Sequence, residues 1–418
     1  MPPPDTPATA ESSRWRTPAV IMLCGALVFM LSAGTRQSFG LFLRPMSSEL
    51  GWGREVFGFS VALATLVIGG VAPFMGAVAD RFGSGRVILL GGMLWALGLF
   101  GMAHSSTPLA MTLFTGLVVG MGAAATSVSI AIGAVGRQVP DAMRSKALGV
   151  VTSGGSVGQM LVLPLAQGLI AWLDWRLAMT LLGGIMVLLI PAALGLGARP
   201  VSGSGHGDSQ RITQALAEAG GHRGFLLLTA GFFVCGFHVS FIATHLPSYV
   251  VDSGLLPSVG AAALFLIGLF NVAGSYAWGR WGGLHSKKYL LSTIYLARAA
   301  VITVFLLVPV STLSVLLFAG AMGFLWLGTV PLTSGLVGQI FGVRYLSTLF
   351  GIVFFSHQVG GFLGAWLGGY LYDVTHSYTL VWLIAIALGV FSALVHLPID
   401  DKPVQRIAMA KPSVAAEY

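Results

Sequence analysis

Charge is scarce in this 418-residue sequence: Asp, Glu, Lys and Arg make up 9% of it against 56% hydrophobic residues, and the mean hydropathy is +0.86. That balance lies far from soluble globular chains and marks an integral membrane protein. Acids are the scarcest group. All 14 lie near a break between apolar runs or in a tail, from Glu49, Glu55 and Asp80 to Asp252 and Asp373, so none is expected at mid-membrane depth. Their placement excludes a zinc or calcium site, a two-carboxylate hydrolase and a proton pump built on buried acids; no metal or cofactor is expected. The only cysteines, Cys24 and Cys235, both sit inside apolar runs and give no disulfide framework.

Apolar runs are what the chain has in abundance. A helix rises about 1.5 Å per residue, so about 20 apolar residues cross a bilayer. Such stretches fall at 18–43, 55–78, 87–104, 108–135, 146–172, 177–197, 225–250, 259–279, 289–309, 313–339, 347–371 and 379–397. Each is continuously apolar rather than alternating, which predicts an all-α protein of twelve transmembrane helices, not a barrel. Residues 1–17, rich in Pro, Ser and Thr, read as a disordered tail, and the first run is too long for a cleaved signal peptide. Basic residues gather on one side: Arg14, Arg16, Arg81, Arg86, Arg137, Arg144, Lys146, Arg199, Arg211, Arg223, Arg280, Lys287, Lys288, Arg344, Lys402, Arg406 and Lys411. Only Arg44, Arg54 and Arg176 fall in the opposite loops, which puts both termini in the cytoplasm. The net charge of +8 is thus a topology signal and not a nucleic-acid surface.

The Gly- and Ser-rich interruption at 199–224 divides the chain into six-helix bundles at 18–198 and 225–397, with a tail at 398–418. A shift of 202 residues carries Gly34, Arg36, Ser38, Phe39 and Pro45 onto Gly236, His238, Ser240, Phe241 and Pro247, and carries Gly149, Val157 and Gly158 onto Gly351, Val359 and Gly360. Parallel repeats about an axis normal to the membrane follow, with a ligand site expected between them.

The segment Gly76-Ala77-Val78-Ala79-Asp80-Arg81-Phe82-Gly83-Ser84-Gly85-Arg86 closely resembles the G-x-x-x-D-R-x-G-x-x-R loop of the major facilitator superfamily. The resemblance in layout covers essentially the whole chain and implies a transporter. Physically, Gly76 would let helices approach, Asp80 would pair with a cytoplasmic arginine or a helix N-terminus such as that of helix 11, and Gly83 would permit the turn. Together with Arg81 and Arg86 they would latch one side shut; the second half lacks the acid at the equivalent place. Leu50-Gly51-Trp52-Gly53-Arg54 after helix 1 resembles the bacterial branch related to monocarboxylate and oxalate/formate transporters. Such relatives carry a substrate-binding arginine in helix 8 about four residues after Asn or Asp; here Asn271 is kept and Ser275 stands in the arginine's place.

The candidate site residues are therefore Arg36, Gln37, His238, Asn271, His357 and Gln358. A guanidinium at the depth of Arg36 costs about 2.5–3.5 kcal/mol unless it reaches water or a partner. With no intramembrane acid, its expected partner is an anion in a central cavity; snorkelling to the outer surface is the alternative. His238 occupies the repeat-equivalent place, either facing Arg36 or bonded to a carbonyl of the next helix, and is one of the mid-membrane imidazoles able to exchange protons near neutral pH. The resemblance suggests His357 as a titratable replacement for a lysine. Asn271 and Gln358 suit either a ligand or a neighbouring helix. Arg298, in helix 9, is expected to pair with backbone carbonyls or to anchor its helix.

These residues suggest a secondary transporter of a small organic anion, a mono- or dicarboxylate, working by alternating access in a bacterial inner membrane. No G-x-x-x-x-G-K-[ST] segment is present, so protons or a counter-anion would supply the gradient. Drug or metabolite efflux is the rival, opposed by the missing membrane acid and by Leu163 before Pro164 in helix 5, where drug antiporters carry Gly-Pro. A membrane-embedded enzyme or sensor is a remoter alternative, and no catalytic cluster is present for it.

Overall fold

The computed structural model describes residues 16–197, 212–342 and 345–404, apart from the side chains of residues 80, 141, 142, 144–146, 212 and 347. Among the described residues every regular element is helical, and twelve spans are long and apolar enough to cross a membrane. They are span 1 (Pro18–Leu50), span 2 (Arg54–Ala79), span 3 (Ser84–Ala103), span 4 (Pro108–Gly136), span 5 (Ala147–Trp172), span 6 (Trp175–Gly195), span 7 (Arg223–Asp252), span 8 (Pro257–Leu284), span 9 (Lys287–Leu307), span 10 (Thr312–Phe341), span 11 (Thr348–Thr375) and span 12 (Thr379–His396). The chain is an all-α, multi-pass membrane protein.

Local chemistry sets the ends. Thr17 accepts a hydrogen bond from Val20 N–H (3.3 Å) and Pro18 follows as the first helical residue, a favourable start. Span 1 continues seven residues past the apolar run, to Leu50, and ends at Gly51 with φ +67°. The polar Ser47-Ser48-Glu49 turn carries no hydropathy signal but continues the helix beyond the apolar layer. The interruption after span 6 contains a further helix, Ile212–Gly221, with Ala215 and Ala219 buried. Residues 1–15, 198–211 and 405–418, and with them most of the readings of the tails and the linker, lie outside the described residues.

The spans pack in a pattern that repeats. Spans 1 and 5 pair as spans 7 and 11 do, spans 3 and 6 as spans 9 and 12, and spans 2 and 4 as spans 8 and 10. Between the two groups, span 2 meets span 11, span 5 meets span 8 and span 1 meets span 7.

Four of the described spans are broken along their length, span 6 by a short turn at Val187-Leu188. Span 1 bends at Ser38, whose hydroxyl donates to Thr35 O (2.8 Å). Span 4 turns at Thr126, which accepts from the Trp95 indole (3.0 Å). Span 10 is interrupted between Leu325 and Thr329, the place that the 202-residue shift pairs with the turn of span 4. Backbone groups freed inside a bilayer need partners. At the span 10 break Arg298, fully buried, supplies them: its guanidinium donates to Leu325 O (2.6 Å) and Trp326 O, at the carbonyl end of the preceding helix. Asn271 accepts from the Leu327 N–H (3.1 Å) on the other side. Arg298 is thus a structural cation.

Candidate functional site

The bend at Ser38 places Arg36 and Gln37 in the last turn of the helical segment Pro18–Gln37, against a cavity between the two groups of spans. Spans 1, 2, 4 and 7 line it: Arg36, Gln37, Phe39 and Gly40; Val61, Ala64, Thr65 and Ile68; Val119; and Val239, Ser240, Ala243 and Thr244. The walls are mainly apolar with a few hydroxyls. No carboxylate is among the lining residues, and Arg36 is the charged one. Its neighbours Gly34, Thr35, Ser38 and Phe39 are buried while Arg36 itself is exposed. Its side chain has no hydrogen bond or ion pair within the described residues. The carbonyl end of its own helical segment offsets part of its charge and leaves the remainder facing the cavity.

The other candidates divide. Gln37 lies beside Arg36 on the cavity wall, its amide 3.5 Å from Gln159 Oε1. Gln358 reaches across from span 11 and donates to Thr65 O (3.1 Å), a cavity-lining residue of span 2. His238 is fully buried and turned toward span 12, with Nε2 donating to Ala385 O (2.8 Å). It is not among the residues lining the cavity, because its ring is turned to the Ala385 carbonyl of span 12. His357 lies beneath the wall, stacked on Phe354 with Nδ1 donating to Gln358 Oε1 (3.0 Å). Asn271 is committed to the broken span 10 and to Ser275 (3.1 Å). Arg36 and Gln37 thus share the cavity wall, Gln358 touches the lining residue Thr65 from span 11, and His238, Asn271 and His357 are not among the lining residues. The sequence reading missed Thr65, Thr244 and Gln159. Ser240 was within reach of the repeat, as the equivalent of Ser38; an isolated Thr in an apolar helix gives no comparable signal.

The two ends of the cavity differ. Toward Arg54 the groups are sealed. Arg54 donates to both Asp252 oxygens (2.5 and 2.9 Å) and to the Tyr378 hydroxyl (2.8 Å), and its guanidinium lies 3.7 Å from the centre of the Tyr372 ring. Tyr378 in turn reaches His245 Nδ1 (3.3 Å). Asp373 accepts the backbone N–H groups of Arg54 (2.9 Å) and Glu55 (2.7 Å), capping span 2 from the opposite group. Glycines make this contact close: a Cβ at Gly58 would lie 2.6 Å from Ala365 O, and one at Gly369 2.6 Å from Arg54 O.

Toward the 76–86 segment the groups part. Past Gly69, a Cβ at Gly70, Gly76 or Gly351 would meet no atom within 4 Å. The close helix approach expected at Gly76 is therefore not made here, because spans 2 and 11 have separated at that depth. Gly83, with φ +96°, takes the turn, and Arg81 and Arg86 are exposed. The side chain of Asp80 lies outside the described residues, as do residues 343 and 344 just before helix 11.

The family model described as Major Facilitator Superfamily matches residues 25–326. An uncharacterized MFS-type transporter, YcxA, of Bacillus subtilis (strain 168) is 26% identical over 412 residues, covering 94% of this chain and 97% of its own. Monocarboxylate transporter 11 of Mus musculus is 26% identical over 379 residues, covering 88% of this chain and 84% of its own. Among solved structures, the D-xylose-proton symporter superposes with a TM-score of 0.71 at 16% identity, covering 93% of this chain and 99% of its own. The xylose transporter XylE of E. coli in an inward open conformation gives 0.72 at 15% identity, covering 92% and 96%. Twelve spans in two groups, a cavity between them sealed at one end, and a family match over most of the chain agree: the protein belongs to the major facilitator superfamily.

Proposed function

We propose that the protein moves a small organic anion, of the monocarboxylate or dicarboxylate type, by alternating access, with its halves rocking about the cavity at Arg36. One observation carries this reading: a guanidinium exposed in an intramembrane cavity, with no carboxylate among the residues that line it. An entering carboxylate would complete the charge pair through charge-assisted, bidentate hydrogen bonds, with Gln37 and the Thr65, Ser240 and Thr244 hydroxyls as polar neighbours and Val61, Ile68 and Val119 receiving the apolar part. Gln358 meets the wall residue Thr65 and is itself held by His357, while His238 and Asn271 serve contacts between helices. The named monocarboxylate transporters among the relatives point the same way.

The Lys and Arg distribution orients the 76–86 segment and both termini to the cytoplasm. In that orientation, within a bacterial inner membrane, the cavity is open to the inside and Arg54 seals the outside. Asp80, Arg81, Gly83 and Arg86 would act when the inner side closes, with Gly76 then brought against its neighbour. A cavity wall without an acid favours either exchange against a second anion or entry of a proton with the substrate. Uptake of labelled carboxylates into proteoliposomes, with and without a pH gradient, tests the reading. Uptake that ignores carboxylates but responds to hydrophobic cations would replace it with efflux.

A further inference from the structure

Two glutamines stand in the same relation to the two halves. Gln159 of span 5 donates its amide to Leu264 O of span 8 (2.8 Å), and Gln358 of span 11 donates to Thr65 O of span 2 (3.1 Å). Both are buried and both bonds cross between the groups of spans. The helices they reach carry glycine one turn further on. A Cβ at Gly268 would lie 2.8 Å from Gln159 Cδ, and one at Gly69 would lie 2.7 Å from Gln358 Cγ.

The glycines have a physical reason. In an α-helix the carbonyl of residue i points toward the N–H of residue i+4. A side chain at i+4 shields that oxygen from the flank, and glycine leaves it open to a second donor. Each glutamine oxygen is also engaged, by the Gln37 amide for Gln159 (3.5 Å) and by His357 Nδ1–H for Gln358 (3.0 Å). The amides are thus held with their NH2 groups toward the opposite half. Past this level, on the 76–86 side, spans 2 and 11 separate.

We infer that Gln159 and Gln358 are a matched pair of clamps that hold the Arg54 end of the protein closed and must both release when the cavity opens there. The inference rests on the alternating-access part of the proposed function but not on the identity of the substrate. Each donor is neutral and each acceptor already serves its own helix, so a clamp is weak and readily reversible, as a step in a transport cycle requires. A Gln37 engaged by a ligand beside Arg36 would leave Gln159 Oε1, which ties one clamp to occupancy of the cavity.

The test needs no substrate. Val61→Cys places a thiol on the cavity wall behind the Arg54 seal, and a membrane-impermeant maleimide labels it from the Arg54 side only when that end opens. Labelling is followed in vesicles of both orientations, with background from Cys24 and Cys235 taken from the protein without Val61→Cys. Gln159→Leu and Gln358→Leu should each raise the rate from the Arg54 side about five-fold, the equivalent of one net hydrogen bond, and the double variant about 25-fold. Gly268→Ala and Gly69→Ala, which displace the amides without removing them, should act in the same direction. Gly70→Ala, with open space beside it, should leave the rate unchanged. Unaltered labelling in the folded, monodisperse double variant would overturn the inference. So would a rate increase in Gly70→Ala equal to that in Gly69→Ala. Loss of carboxylate uptake plays no part in either outcome, so failure of the clamps and failure of the anion reading remain distinguishable.

Discussion

Asp373 offers the sharpest probe of how the closed end is held. Its two oxygens accept the first backbone N–H groups of span 2, from Arg54 (2.9 Å) and Glu55 (2.7 Å). Both donors are helix-start groups with no partner inside their own helix. The carboxylate therefore caps a helix of one half from a helix of the other, and it is present only while that end is closed. Asp373→Ala removes both acceptors. Asp373→Asn keeps one and turns an NH2 toward the other N–H. A cap is worth about 0.5–2 kcal/mol, and a hydrogen bond to a charged group about 1.5–3 kcal/mol. Because Asp373 is half-buried rather than enclosed, a loss of about 1–2 kcal/mol is expected, a shift of about 5- to 30-fold toward the state open at the Arg54 end. Spin labels at Leu173→Cys and Leu256→Cys, both exposed in loops at that end, would report it by pulsed electron–electron distance measurement. The longer-distance population should rise by that factor in Asp373→Ala, and nearly as much in Asp373→Asn. An unchanged distribution would refute the reasoning and leave closure to the Arg54–Asp252 pair, the glutamine bonds and the glycine-backed contacts.

Other substitutions separate structural from functional polar groups. Arg298→Met leaves the Leu325 and Trp326 carbonyls at the span 10 break without their donor; it should cost about 2–4 kcal/mol, visible as a lowered thermal midpoint in detergent. His238→Gln can still donate to Ala385 O and lies outside the cavity, so transport should stay within about two-fold of wild type, whereas a collapse in activity would place His238 in the cycle. Gly83→Ala forces a side chain into φ +96°, costing about 1–2 kcal/mol; thermal unfolding should register it.

The twelve spans were legible because an uninterrupted apolar run of about 20 residues has one stable solution in lipid. What the same logic hides is a break inside such a run. Leu325-Trp326-Leu327-Gly328 is as apolar as the residues around it; the expected pairing of Arg298 with backbone carbonyls is made there, while Asn271, read as suiting a ligand or a neighbouring helix, serves the same break. Spans 9 and 8 bring them to the two sides of the gap. Arg36 could be singled out because a charge at that depth needs a reason. Its neighbouring side chains could not, since a Thr hydroxyl can bond its own helix, as Thr65 does to Val61 O (3.0 Å). The repeat sets His238 at the place of Arg36, but equivalent places need not face the same surroundings: span 1 bends at Ser38 and span 7 continues as one helix through Ser240. Gln159 escaped notice because an amide between helices looks alike whether it joins one half or two.

The most direct measurement is equilibrium binding of a labelled carboxylate panel to purified wild-type, Arg36→Lys and Arg36→Ala protein, each checked for an unchanged unfolding temperature. Binding should weaken in Arg36→Lys, which keeps the charge but loses the planar fork, and vanish in Arg36→Ala while neutral analogues are unaffected. Undiminished carboxylate binding by a folded Arg36→Ala protein would show that the exposed guanidinium is not what receives the anion.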